Sequence, residues 1–260
     1  MILARNAEDD LRDSLSVFYS TLKIIGAYPN RTKSSLTSVI LNSCIICTSY
    51  FVQLLTLIPS VLYAFAREKN GRKRIKLLTP QINNSCQLIK YTILIRRMKE
   101  FRELMEEIKH SWLNATEENR RIFRTNAKIG RNVIIGIGVT MFSGGLSYRI
   151  FTPILREKIV LPNNTTLRML SCPSYFVFFD EQLTPNYEII YVLQILSGFF
   201  TYSVQCATMG VYATLCLHMC GLMRTLANKI EQLSDQSDVS ESAVQEKIAD
   251  IIEHRTEIKR

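Results

Sequence analysis

Two long stretches of this chain carry no formal charge at all, and they constrain it more than any other feature. No Asp, Glu, Lys or Arg occurs between Lys33 and Arg67, and none between Glu188 and Arg224, an interval of 35 residues. A helix needs about 20 predominantly apolar residues to cross a hydrocarbon core about 30 Å thick. At about 1.5 Å per residue the second stretch makes roughly 50 Å of helix, so it is expected to project beyond one membrane face. The composition is only mildly apolar, with 47% hydrophobic and 21% charged residues and a mean hydropathy of +0.06. What sets the class is that the apolar residues are pooled instead of spread at amphipathic spacing.

The expected fold is therefore all-α: a single polytopic membrane domain over 1–260 with about four transmembrane helices at 36–66, 75–95, 130–152 and 187–223. Residues 1–35 and 224–260 are expected to be cytoplasmic and 153–186 to form an extracellular loop. Residues 1–16 hold Arg5, Glu8, Asp9, Asp10, Arg12 and Asp13 and do not resemble a cleaved signal peptide, so the first span is expected to serve as an uncleaved insertion signal. Leu15, Phe18, Tyr19, Leu22 and Ile25 recur every three or four residues before Gly26 and Pro29, which predicts an amphipathic helix that stops there. The 75–95 segment is interrupted by Pro80, Gln81, Asn83, Asn84, Gln87 and Lys90, and intramembrane polar groups are costly unless they face protein or water, so it is expected to be an interior helix. Residues 96–128 are charged, with an apolar helical stripe at Met98, Phe101, Leu104, Met105, Ile108 and Trp112, and should extend the second span. Gly136, Gly138, Gly144 and Gly145 in the third span permit close helix approach. The connection from Arg149 to Glu188 is too aromatic for a bare linker and should fold onto the helices. Beyond the fourth span, a Ser/Asp-rich break at 234–242 precedes a charged helix.

Orientation follows from Lys and Arg, which accumulate on the cytoplasmic side. The N-terminal segment, second connection and C-terminal segment hold 21 of the 32 basic residues, and the first and third connections hold 10. The excess puts the N-terminus in the cytosol. The six basic residues at 67–76 pull the other way, whereas the overlapping glycosylation acceptors at Asn163 and Asn164 favour an extracellular third connection. The same bias accounts for the net charge of +9 without nucleic acid. Six of the seven cysteines lie in apolar stretches, where packing roles are expected, and only Cys172 lies in a polar connection.

Catalytic and cofactor chemistry finds no support. Cys216, His218 and Cys220 cannot face one metal ion from a continuous helix, since at about 100° per residue the histidine points away from both thiols. Gly136-Ile137-Gly138 lacks the third glycine and the preceding strand of a dinucleotide fingerprint. The three histidines form no nucleophile or base arrangement. No catalytic residue, cofactor or metal is therefore expected. The side chains suited to holding a small organic molecule are Asn83, Gln87, Tyr91, Ser147, Tyr148, Tyr187, Tyr191 and Gln194, with Asn84 beside them: a few hydrogen-bonding groups in an apolar setting. Interface tyrosines and helix-to-helix hydrogen bonds are the blander reading of the same residues.

Ordered pieces along the chain carry a family resemblance. They are Leu22 to Pro29, Arg74 to Pro80, Ile89-Lys90-Tyr91, the helix Phe101 to Trp112, and Asn126 to Arg131. After these come Cys172 to Tyr175, Phe179-Asp180, Pro185 to Glu188, Leu193-Gln194, Leu196 to Gly198, and His218 to Gly221. In this order and spacing the chain resembles the insect odorant receptor family, in particular the expanded receptors of ants, bees and wasps. The resemblance implies a seven-helix subunit with a cytoplasmic N-terminus, residing in the plasma membrane of olfactory sensory neurons. It also implies a ligand-gated cation channel, built with a co-receptor subunit and opened by a volatile odorant held among the second, third, fourth and sixth helices. On that comparison the chain stops before the fifth helix, so a fragment lacking the pore helix is expected, without conductance of its own. A gustatory-type chemoreceptor, or a polytopic transporter or enzyme, is the alternative. Transport or catalysis would call for intramembrane carboxylates or histidine pairs, and the uncharged runs hold no Asp or Glu.

Overall fold

The structure is a computed structural model that describes residues 2–28, 36–155, 159–160 and 166–234. Its helices are α1 (Ile2–Ser14), α2 (Ser16–Ile24), α3 (Leu36–Ala66), α4 (Gly71–Arg96), α5 (Met98–Asn114), α6 (Glu117–Thr140), α7 (Ser147–Leu155) and α8 (Asn186–Ser234). A π-helical segment, Met141–Leu146, joins α6 to α7. Two-residue strands β1 (Ile159–Val160) and β2 (Thr166–Leu167) pair antiparallel, the one β feature among the described residues of an otherwise all-α chain. Asn163 and Asn164 lie outside the described residues, as do the Ser/Asp-rich break and the charged tail helix expected beyond the fourth span.

The chain divides into two compact units. One comprises Tyr19–Arg102 and Ile134–Met209, and its helices turn polar residues inward and large apolar ones outward. On α3 the buried set includes Ser49, Gln53, Thr56 and Ser60, while Leu41, Phe51, Ile58 and Phe65 are exposed. Water-soluble proteins show the opposite arrangement; this one is stable where the surroundings are as apolar as the side chains themselves. Among the described residues, three helices are long and apolar enough to cross a membrane: α3, the continuous Glu117–Leu155, and α8 through Glu231.

The 75–95 segment is not in that set, yet α4 follows the same rule. Gln81, Asn84, Gln87 and Tyr91 are buried on one face, and Ile75, Ile82, Ile89 and Ile93 are exposed on another. The expectation of a purely interior helix is corrected to a two-faced one, polar toward protein and aliphatic outward. Asn70 caps α4 by accepting a hydrogen bond from the Arg72 amide at 3.0 Å, which makes a tight α3–α4 hairpin. The expected stop at Gly26 is present as well: Gly26 has φ +69°, and the Ala27 amide reaches back to the Leu22 carbonyl at 2.9 Å in a Schellman closure.

The other unit comprises Met1–Phe18, Glu103–Val133 and Gly210–Arg260. Its core takes Met105, Ile108 and Trp112 of the anticipated stripe, all buried, whereas Leu104 of that stripe is exposed; Trp112 is stacked on Phe123 at 5.9 Å and Phe123 lies against His218 at 5.5 Å. The Asn126 amide donates to the Leu217 carbonyl at 3.1 Å, and a Cβ on Gly221 would lie 2.7 Å from the Phe123 ring. The segments around Asn126 and around His218 that carried the resemblance are thus in contact with each other. Helix α1, which the polar N-terminal sequence did not suggest, is tied to α5 by Lys109–Glu8 at 2.6 Å and to α6 by Arg124–Asp10.

Two boundaries differ from expectation. Residues 96–128 are not one helix: Arg97 interrupts it after α4, and Thr116 accepts from the Asn119 amide at 3.4 Å and starts α6. The helix carrying the third span accordingly begins at Glu117 and not near 130. All seven cysteines are free, but Cys44, Cys47, Cys86, Cys216 and Cys220 are exposed, so only Cys172 and Cys206 have the buried packing role.

Candidate ligand-recognition site

The inward polar faces of the first unit meet around two side chains, Arg149 and Gln194. Arg149 was counted in the sequence among the basic residues of a connection. It lies instead on α7 and is buried, only 5% exposed. Its guanidinium donates to the Gln194 carbonyl at 2.9 Å and to the Asn84 side-chain oxygen at 3.5 Å, and lies 5.7 Å from the centre of the Tyr202 ring. Among the described residues no carboxylate pairs with it. A buried cation without a counter-ion is costly, and neutral oxygens and an aromatic face recover only part of that cost. Close approach to α8 is possible because residue 198 is glycine: a Cβ there would lie 2.6 Å from Arg149 Cδ. One turn earlier, a Cβ on Gly145 would lie 2.5 Å from the Tyr202 ring, so the π-helical segment is small where α8 is bulky.

Gln194, 1% exposed, holds the connection against α8. Its amide donates to the Cys172 carbonyl at 2.6 Å and to Ser174 Oγ at 3.2 Å, and its oxygen accepts from the Cys172 amide at 3.2 Å. Ser174 reaches Ser60 of α3 at 3.2 Å, and the Tyr175 amide donates to the Pro59 carbonyl at 2.9 Å. The connection therefore packs onto the helices through Cys172–Tyr175, while Phe178 and Phe179 of the aromatic cluster that suggested such packing are exposed. Thr56 and Ser197 share a 2.7 Å hydrogen bond, and with the Ser60–Ser174–Gln194 relay this shows α3 and α8 running antiparallel.

The remaining anticipated residues fall in several environments. Tyr91 is fully buried and donates to the Ile25 carbonyl at 2.7 Å, while its ring lies 5.1 Å from Tyr50. Gln87 is buried and donates to the exposed Asn83 at 3.4 Å. Tyr187 and Tyr191 donate to the carbonyls of Met169 at 3.2 Å and Ile150 at 2.8 Å. Ser147 is half-buried, and Tyr148 is exposed on the outside of α7. The structure thus brings Gln194 and Asn84 together through Arg149, ties Tyr187 and Tyr191 to the neighbouring backbone, and leaves Asn83 and Tyr148 outward. Arg149, Gln53 and Thr201 are buried polar groups that the sequence reading did not select. Their signal was present only as polar residues within apolar runs.

A helical bundle with an aliphatic exterior and a hydrogen-bonded polar interior is a polytopic membrane protein. The family model described as 7tm odorant receptor matches residues 73–260, well over half of the chain, and the chain belongs to that family. It is accordingly a membrane chemoreceptor of a family not known for enzymes. No curated protein matches the sequence.

Proposed function

We propose that this chain is the odorant-recognising subunit of a ligand-gated cation channel formed with a co-receptor subunit in the plasma membrane of olfactory sensory neurons, serving the sense of smell. The observation that carries the reading is the inverted polarity of the unit containing α3, α4, α7 and the first part of α8. Recognition of a small organic molecule requires a few hydrogen-bonding groups in an apolar, water-poor setting. The proposed contacts come from α4, α7 and α8, with Gln87, Ser147 and Tyr191 on the side of the ligand and Gln194 holding the loop above them. The N-terminus is cytosolic in this proposal, and Asn163 and Asn164 face outward.

Co-expression of the full receptor polypeptide with a co-receptor, under a panel of volatiles, tests the proposal. The expected result is a cation current evoked by a subset of compounds and absent with the co-receptor alone. A receptor that reaches the surface and leaves co-receptor currents unchanged for every compound would refute the channel assignment. Orientation has its own test: Asn163→Gln with Asn164→Gln should abolish an enzymatically removable glycan, and a chain carrying glycan instead at Asn114, the acceptor of Asn114-Ala115-Thr116 in the second connection, has the opposite topology.

A further inference from the structure

Besides Ser203 Oγ and Gln205 Oε1 further along α8 and the Nε atoms of Arg74 and Arg102, the first unit holds three buried polar groups without a hydrogen-bond partner among the described residues: Gln53 Oε1 on α3, Gln87 Oε1 on α4 and Thr201 Oγ1 on α8. Each belongs to a side chain more than nine-tenths buried, with exposures of 4%, 3% and 1%. An unmade hydrogen bond inside a protein costs the full desolvation of the group, so three together in one small unit call for a partner.

The register of the helices places the three at one level. Tyr50 bonds Thr92 at 2.8 Å across the α3–α4 hairpin, and Tyr91 stacks on Tyr50. In an antiparallel pair, stepping α3 forward from Tyr50 to Gln53 steps α4 back from Tyr91 to Gln87. Thr56 bonds Ser197 between α3 and α8, and the next inward positions, one turn away on each antiparallel helix, are Gln53 and Thr201. Three helices therefore each present one unsatisfied group to a common level.

Thr201 adds a second argument. A threonine in a helix normally satisfies its hydroxyl on the carbonyl three or four residues earlier, as Thr56, Thr208 and Thr225 do here. Thr201 makes no such bond, so its hydroxyl is free for another partner. The two glutamines have their other ends engaged, Gln53 with Ser49 at 2.9 Å and Gln87 with Asn83 at 3.4 Å. Exchanging oxygen and nitrogen in either amide changes which atom is orphaned but still leaves one.

We infer that this level binds the hydroxyl group of a small alcohol, with Gln53 and Gln87 accepting from it or its neighbouring water and Thr201 donating to it. An ether or ester oxygen only accepts and would leave both glutamine oxygens unpaired, whereas a hydroxyl both donates and accepts. A protonated amine would bring a second buried cation into a unit that already holds Arg149. The inference rests on the chemoreceptor reading and names its ligand class; a water molecule bound alone is the competing occupant.

The test uses the purified chain in lipid nanodiscs with two probes of equal length, a straight-chain primary alcohol and an alkyl methyl ether, and reads binding by ligand-observed magnetic resonance. The expected result is about tenfold tighter binding of the alcohol, the discrimination of one buried hydrogen bond. Gln53→Leu combined with Gln87→Leu should reduce that ratio to about one while ether binding persists, whereas Thr201→Val should weaken both probes together and Thr201→Ser should restore them. Persistent ether binding shows that the paired glutamine variant remains folded. An alcohol-to-ether ratio near one in the unsubstituted chain, a ratio that the paired glutamine substitutions leave unchanged, or probe binding that Thr201→Val does not weaken overturns the proposal and leaves the level to water. Binding with the expected preference but no odorant-evoked current would instead refute the channel assignment and leave this inference standing.

Discussion

Replacing Gln194 by leucine removes the one side chain that anchors the connection at Cys172, and the structure sets the size of the effect. Three hydrogen bonds are lost, to the Cys172 carbonyl, the Cys172 amide and Ser174 Oγ. The losses are unequal. The Cys172 carbonyl keeps a bond from the Ser174 hydroxyl at 2.9 Å, whereas the Cys172 amide keeps nothing and remains buried. An orphaned buried amide costs about 1–3 kcal/mol and the remaining bonds about 1 kcal/mol net, which puts the local destabilisation at about 2–4 kcal/mol. Hydrogen exchange at the Cys172 amide reads this directly, and about 2–4 kcal/mol corresponds to exchange roughly 30- to 700-fold faster. Ser174→Ala is the control: Gln194 still holds both backbone groups of Cys172, so acceleration there should stay below about tenfold. Protection at Cys172 within about threefold of the unsubstituted protein, in a Gln194→Leu variant that is otherwise folded, would refute the clamp.

Gly26→Ala forces a Cβ into a left-handed turn and to 3.0 Å from the Asn42 carbonyl, and a thermal melt in detergent should show a loss of about 1–2 kcal/mol or more. Tyr91→Phe removes the 2.7 Å bond to the Ile25 carbonyl from a fully buried site, so folded yield should fall by the equivalent of about 1 kcal/mol, while Tyr148→Phe on an exposed surface should leave it unchanged. Gly198→Ala displaces Arg149 from α8 and should destabilise strongly, but less so when Arg149 is already methionine; a double-mutant cycle should give a coupling of about 1 kcal/mol or more, and strict additivity would mean that the two residues do not share a contact.

Length and charge alone determined that this chain belongs in a bilayer. Uncharged runs of this extent have nowhere else to put their backbone and side chains, and α3 takes the very bounds, Leu36–Ala66, that the run predicts. Local chemistry also determined the stop at Gly26 and the polar inward face of α4, because a positive φ and a buried amide are each settled within a few residues. The partners of those polar groups were decided by tertiary structure. Arg149 counts as one more basic residue near a span end until α8 supplies Gly198 and the Gln194 carbonyl to receive it. Gln53, Gln87 and Thr201 are ordinary interruptions of three apolar runs until the antiparallel register of α3 with α4 and α8 brings them to one level. A helix fixes the angle of each side chain about its own axis, but only packing against a second helix fixes which residue of the neighbour stands opposite.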